Sequence, residues 1–429
     1  MNKNIKLAVA GAVLAMSATA ANAGIIIPAG DWTLDINGNV NAYMNFTKGK
    51  DNNEVTGGLA ATQATGSSTV KGINTGLLPA WIGFTGKTRQ NDLDVEFTIS
   101  MQPGVSANDI SGDGAFVNGT TDSNGSKMLN RQTYLSFGDK SWGSFKLGKD
   151  IGIFAQDAIL NDMTLLGVGS GAALSGSSAN TTNGGIGTGY LYAAWKGQVA
   201  YTTPNMNGFQ ATVGITNPNM GGLTMSQDRF GFEGKASYSF AANDMTGKIW
   251  VSGLSNKVNT NEVAAVETLY AALGTGSAIT TEVRAGVAAV PSYEYTASVF
   301  DIGANLNVAG FGLTGYYYDG RGVGTTLVGS NAISGDGARR DSNGGYVQLT
   351  YVLPVKTKLG LAYGTSRLDM AGNDANTLLK TNDRVTVGAY HPLTKHLNLV
   401  AEYNHITAEN HAGAENKSYT GSLGAILFF

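Results

Sequence analysis

From Leu34 to Phe46 the even positions are Leu34, Ile36, Gly38, Val40, Ala42, Met44 and Phe46, while the odd ones are Asp35, Asn37, Asn39, Asn41, Tyr43 and Asn45. A period of two sends successive side chains to opposite faces of a strand, so one face is apolar and the other hydrated. The dyad returns where Leu93, Val95, Phe97, Ile99 and Met101 interleave with Asp94, Glu96, Thr98, Ser100 and Gln102. It returns again where Phe230, Phe232, Ala236, Tyr238 and Phe240 alternate with Arg229, Glu233, Lys235, Ser237 and Ser239. In a fourth stretch Phe300, Ile302, Ala304, Leu306 and Val308 alternate with Asp301, Asn305 and Asn307. A soluble sandwich produces the same alternation, and what separates the two is repetition along the chain.

Weaker versions occur at about 78–87, 131–138, 144–149, 196–203, 208–216, 245–253, 311–318, 345–353, 358–365, 384–390, 396–405 and 417–429, which with the four clear ones makes sixteen expected strands. The spacers alternate in length. They are long at about 47–77, 103–130, 150–195, 217–228, 254–296, 319–344, 366–383 and 406–416, and short at 87–92, 138–143, 204–208, 241–244, 309–310, 354–357 and 391–395. Strands of roughly ten residues with this rhythm fit an all-β transmembrane antiparallel barrel, long loops outward and short turns toward the periplasm. In hydrocarbon every backbone polar group must be paired, so the last strand is expected to close on the first. Sixteen strands leave an aqueous lumen rather than a packed interior.

Lys3 and Lys6 precede an apolar run from Leu7 to about Ala21 and the small-residue site Ala21-Asn22-Ala23. This is the pattern of a secretory signal peptide, so residues 1–23 are expected to be removed and 24–429 to form one barrel domain. No other stretch has the uninterrupted apolar length of a spanning helix, although 42% of residues are hydrophobic. The chain has no cysteine, which excludes a disulfide framework and a thiolate metal site. Without the two leader lysines, 26 bases face 31 acids, a net charge of −5 that argues against nucleic acid as a partner.

The end of the chain, Tyr419-Thr-Gly-Ser-Leu-Gly-Ala-Ile-Leu-Phe-Phe429, puts Tyr419, Leu423, Ala425, Leu427 and Phe429 on one face. It resembles the C-terminal strand of outer-membrane barrels, in which a terminal Phe429 would be the signal read by the barrel-assembly machinery. The stretches 147–169 and Tyr201-Thr-Thr-Pro-Asn-Met-Asn-Gly-Phe209 resemble the general porins of Gram-negative proteobacteria. That resemblance spans the mature chain. It implies a homotrimer of sixteen-stranded barrels in the outer membrane, in contact with lipid and lipopolysaccharide, whose third loop folds inward and narrows a channel for small hydrophilic solutes and ions.

On the family pattern the third loop, from Asp150 to about Gly189, carries the acids Asp150, Asp157 and Asp162 of the constriction. Phe154, Ala158, Ile159, Met163 and Leu165 recur at spacings of a short helix whose apolar side leans on the wall, which would leave Asp157 and Asp162 toward water. Strand parity puts the bases Lys87, Lys146, Lys235, Lys248, Lys358 and Arg384 and the acids Asp94, Glu96, Glu233, Asp301 and Glu402 on the wet face, with Arg89 and Arg131 near strand ends. A base on the lipid face would cost roughly 2–4 kcal/mol, so wet placement is expected of any barrel. Acids facing bases would set a transverse field that orients dipolar solutes, and the added acids favour cations weakly.

Competing readings use other residues. A substrate-specific channel would need an aromatic slide, for which Trp81, Tyr134, Trp250, Tyr316 and Tyr318 have the right parity but no contiguous ladder. An outer-membrane hydrolase would have only His405 as a base, without a nucleophile motif beside it, and an adhesin would work through its loops. Asp109, Asp113 and Asp122 could bind calcium, though their spacing is not that of an EF-hand. Val263, Val266, Tyr270 and Leu273 have helical spacing in the fifth loop. No cofactor and no resident metal are expected.

Overall fold

The computed structural model describes residues 24–63, 69–103, 129–173, 181–218, 225–226, 229–261, 269–272, 280–283 and 291–429. Sixteen strands form one closed antiparallel sheet: β1 (Trp32–Gly49), β2 (Trp81–Gln90), β3 (Leu93–Gln102), β4 (Leu129–Asp139), β5 (Gly143–Ile151), β6 (Trp195–Thr202), β7 (Phe209–Thr216), β8 (Gly231–Ala242), β9 (Met245–Thr260), β10 (Glu294–Val308), β11 (Phe311–Arg321), β12 (Asp341–Val352), β13 (Lys358–Leu368), β14 (Leu379–Pro392), β15 (Leu397–Asn410) and β16 (Glu415–Phe428). Each pairs with the next, and β16 closes on β1 over Asn39↔Phe428 to Gly49↔Ser418. Closure leaves no sheet edge in the bilayer.

The seam has one further piece. Below Asn39, where β16 ends, the strand Ile25–Ala29 takes its place and pairs with β1 from Ile25↔Ile36 to Ala29↔Trp32. Higher up, Thr69–Asn74 pairs with β1 at Tyr43–Lys48, above the register that β1 shares with β2. The tightest turns use left-handed residues: Asn91 and Asp92 between β2 and β3, Ala309 and Gly310 between β10 and β11. Positive φ at both central positions gives the mirror-image turn whose twist matches that of the flanking strands.

The two faces follow the sequence parity. Val251, Phe300, Leu313, Leu361 and Leu423 are exposed, while Trp250, Asp301, Thr314, Ala362 and Ser422 beside them are buried. Aromatic pairs flank the short turns: Phe137 with Phe145 at 5.7 Å, Tyr238 with Phe240 at 6.2 Å, Phe311 with Tyr351 at 4.4 Å. Aromatic rings at that level are the interfacial girdle of a membrane barrel. No described helix is long and apolar enough to cross a membrane.

Expected and observed strands differ mostly at the loop ends. β9 runs to Thr260 and β15 to Asn410, so the eighth connection is a tight turn in which Asn410 N–H donates to Ala414 O at 3.0 Å, not a long loop. In the fifth loop Leu269–Ala272 pairs with Thr280–Val283 as a hairpin, so the helical spacing from Val263 to Leu273 does not give a helix there, and the remainder lies outside the described residues. Asp109, Asp113 and Asp122 lie outside them as well.

Candidate functional site

After β5 the chain runs through residues 152–194 before β6 begins. Gly152 N–H donates to Ala194 O at 2.8 Å, which draws the two ends together. Ala155 sits at φ 58, and the short helix α1 (Gln156–Leu160) follows it; one 3-10 turn spans Met163–Leu166, with Asp162 accepting from Thr164 N–H at 2.9 Å. The expected apolar side is real: Phe154, Ala158, Ile159 and Met163 are buried, and the first three join a core with Trp250, Leu254, Tyr316 and Tyr346 of the wall.

The segment is bonded to polar-face side chains of many strands. Glu233 of β8 accepts from the backbone N–H groups of Ile153 at 2.8 Å and Phe154 at 2.9 Å, from Lys196 Nζ of β6 at 2.7 Å and from Thr216 of β7 at 3.1 Å. On β12, Tyr346 donates to Ala158 O at 2.8 Å, while Gln348 accepts from Met163 N–H at 2.9 Å and donates to Asn161 O at 2.7 Å. Arg384 of β14 donates to Thr188 Oγ1 at 3.1 Å and lies 3.8 Å from Asp162. Glu402 of β15 accepts from Val168 N–H at 2.9 Å, Gly169 N–H at 2.7 Å and Tyr390 OH at 2.7 Å. A Cβ at Gly167 would run into that carboxylate. Tyr43 of β1 donates to Leu166 O at 2.7 Å. The loop's N–H groups thus find acceptors that a mobile loop would leave to water.

The predicted residues differ in what they touch. Glu233, Arg384 and Glu402 hold the segment, and Asp301 accepts from Ser252 Oγ at 2.7 Å and from Tyr316 OH at 3.1 Å beneath it. Asp157 is shared by Lys235 at 3.0 Å and Lys248, and Asp162 also accepts from Tyr190 OH at 2.8 Å. Asp157 and Asp162 are buried, where the helical spacing placed them toward water: two lysines and the tyrosine-arginine pair cover them. Asp150 belongs to β5, not to the loop; it pairs with Lys146 at 2.5 Å and accepts from Gln132 at 2.9 Å. On the far side Lys87 pairs with Glu96 at 3.2 Å, and Arg89 with Asp94 at 2.8 Å and Asp139 at 2.9 Å. Lys358 lies over the Tyr390 ring, 5.0 Å from its centre. Phe429 completes the seam, exchanging backbone hydrogen bonds with Gly38 at 2.9 and 3.0 Å.

One participant escaped the sequence reading, and another was placed only near a strand end. Lys196 has wet-face parity within an expected strand, and that signal was available. Arg131 sits at the register shift between Ser100 and Met101 of β3, a bulge that breaks parity, and its guanidinium lies 4.4 Å from Trp81 and 4.3 Å from Trp195. Residues of the competing readings go elsewhere. Trp250, Tyr316 and Tyr318 are buried at 1%, 6% and 0% exposure, partners of the segment's core and not an open slide. His405 stacks on Tyr419 at 4.7 Å with the parity of the exposed residues Leu399 and Tyr403. No group of acids and histidines that could hold a metal occurs among the described residues.

The fold and the family now meet. A family model described as Gram-negative porin matches residues 8–411, and the chain belongs to that family. Among solved structures it is similar to the outer membrane channel DcaP of Acinetobacter baumannii at 17% identity, covering 95% of this chain and 100% of that one with a TM-score of 0.62. It is similar also to the anion-selective porin from Comamonas acidovorans at 13% identity, covering 93% and 100% with a TM-score of 0.58. OmpT of Vibrio cholerae, in-vitro folded and in a trimer form, is 15% identical, covering 93% and 99% with a TM-score of 0.53. No curated protein matches the chain. The family and the closed barrel are those of a non-enzymatic outer-membrane channel for passive diffusion.

Proposed function

We propose that residues 152–173 and 181–194 fold into the barrel as the constriction of a general diffusion pore for small hydrophilic solutes and ions. The observation that carries this reading is the line of bonds from Glu233, Gln348, Arg384 and Glu402 to the segment's backbone and side chains. Those anchors lie on β8 to β15, which leaves the passage bounded on its other side by the wall around β2 to β5. Lys87, Lys146, Lys235, Lys248 and Lys358 line it, with Asp94 and Glu96 at its periplasmic end.

Burial changes the expected ion preference. The acids at the segment and its wall are covered, with side-chain exposures of 6% for Asp150, 4% for Asp157 and 0% for Glu233, while Asp94 and Glu96 at the periplasmic end keep 53% and 28%. Lys87, Lys146 and Lys248 keep 59%, 34% and 22%. At the constriction the fixed charge in contact with water is therefore basic, and the preference we propose is a weak one for anions in place of the cation preference expected from the lumen and loop acids. The chain is exported with residues 1–23 as a leader removed after Ala23, inserted by the barrel-assembly machinery through the strand ending at Phe429, and assembled as a homotrimer among lipid and lipopolysaccharide.

The test is the reversal potential of the purified protein in a planar bilayer under a salt gradient, together with single-channel conductance. Ohmic conductance in three steps with an anion-side reversal supports the trimer and the lysine-lined constriction. A cation-side reversal returns control to Asp94, Glu96 and the outer loops. No conductance would sink the channel reading.

A further inference from the structure

On the outer wall one row of opposed residues reads Leu359, Ala389, Ala401 and Leu423 across β13 to β16. Two alanines between two leucines make a trough, and in the next row up Gly421 extends its floor beside Tyr403. The groove measures about 640 Å³ and is lined by Leu361 and Val387 as well. The column of β14 continues from Val387 and Ala389 down to His391, which has the parity of the outward residues. At that point the trough reaches the short turns.

The β12–β13 and β14–β15 turns are tied together, with Thr357 Oγ1 and His391 Nδ1 2.9 Å apart. They carry Lys356 and Lys395, both exposed, and no acid from Leu353 to Lys358 or from His391 to Leu397. The β2–β3, β4–β5 and β8–β9 turns, in contrast, carry Asp92, Asp139 and Asp244. The terminal carboxylate of Phe429 lies at the same end as the basic turns, where Phe428 N–H donates to His396 O at 3.0 Å. It stands against two lysines. The Phe311–Tyr351 pair, next to these turns, marks the level at which hydrocarbon gives way to headgroups.

We propose that the trough and the basic turns beneath it form one binding site for an anionic glycerophospholipid of the periplasmic leaflet. A hydrocarbon chain lies on Ala389 and Ala401, and the phosphate meets Lys356, Lys395 and His391. With the Thr357 hydroxyl donating to Nδ1, the imidazole carries its hydrogen on Nε2, a donor for a phosphate oxygen. Any barrel touches lipid along its apolar belt. What sets this place apart is that a recess in the belt ends on cations, so charge selects the headgroup. The site is on the outside of the wall and does not depend on the constriction.

The experiment uses protein purified from outer membranes in detergent, titrated with phosphatidylglycerol or with phosphatidylcholine of the same acyl chains, and counts bound lipids by native mass spectrometry. The first phosphatidylglycerol should bind about tenfold more tightly than phosphatidylcholine, the order expected of one to two lysines near an anionic headgroup. Lys356→Gln with Lys395→Gln should remove that preference, whereas Ala401→Leu, which fills the trough, should weaken both lipids and keep it. Equal binding of the two lipids by the wild type overturns the site. Because the chain has no cysteine, Ala401→Cys can carry a single benzophenone, irradiated in vesicles containing phosphatidylglycerol. A lipid adduct supports the proposal, and a product joining two chains overturns it, since a second copy then covers the trough. Should the double lysine variant fail to assemble, the wild-type ratio and the photoproduct decide.

Discussion

Glu233 is a carboxylate side chain without exposure, and its four partners explain how it is accommodated. Two backbone N–H groups, Lys196 and Thr216 converge on one carboxylate whose side chain is 0% exposed. Removing one member of a buried pair leaves the other charge uncompensated, at a cost of about 3–5 kcal/mol. Glu233→Ala should therefore lower the unfolding free energy by that order, measured by urea titration in lipid vesicles. The double variant Glu233→Leu with Lys196→Met should recover most of the loss, because it removes the stranded ammonium too. A double variant as unstable as the single one would mean that the two N–H bonds, not the ion pair, carry the stabilisation. Parity gave the face of this acid correctly from the sequence. Nothing in the sequence could reveal that it is covered, because the loop residues that cover it lie 79 and 80 positions away.

Elements were legible where lipid and water impose the alternation and less so beyond. Leu93–Gln102 comes out with its expected bounds, since both faces of β3 carry their full contrast. β9, β14 and β15 run past the expected ends into Asn256, Asn382 and Asn410, where polar residues occupy the strand and the period loses contrast. The eighth loop shrinks for the same reason. Above the membrane, side-chain bonds tie loops to one another. Arg340 of the sixth loop binds Asp374 of the seventh through Nε at 2.7 Å and Nη2 at 2.5 Å. This guanidinium holds the Asp374 carboxyl below the usual carboxylate range, against a burial that pushes it up. A depressed folded value means the tie is fully present above about pH 4, the ordinary value, and is lost as pH falls through the lower folded one. Hydrogen exchange in residues 369–378, corrected for the intrinsic effect of pH, should stay slow at pH 5 and accelerate only as pH falls below the ordinary carboxylate value of about 4. Asp374→Asn should exchange fast already at neutral pH. Equal protection in both proteins would make the pair an ornament of two loops fixed by their backbones.

At the scale of the whole molecule the barrel inverts the usual arrangement, with its apolar residues on the outside and its largest buried core between the third loop and the polar face of β9 to β12. The exposed belt is stable only against hydrocarbon, and the core only if the loop stays anchored. These are separate demands, and two changes separate them. Leu361 stands near the middle of β13 on the outer face, 53% exposed. Leu361→Lys should cost about 2–4 kcal/mol in vesicles while leaving single-channel conductance unchanged, because the charge meets lipid and not the pore. Glu402→Ala acts from the other face. It releases Val168, Gly169 and Tyr390 together, and the segment it frees no longer holds one position. Its channels should fluctuate between conductance levels that the parent protein does not show. If Leu361→Lys altered conductance, or Glu402→Ala left a quiet channel of the parental size, the assignment of the two faces or of the constriction would be wrong, and the planar-bilayer trace tells the two failures apart.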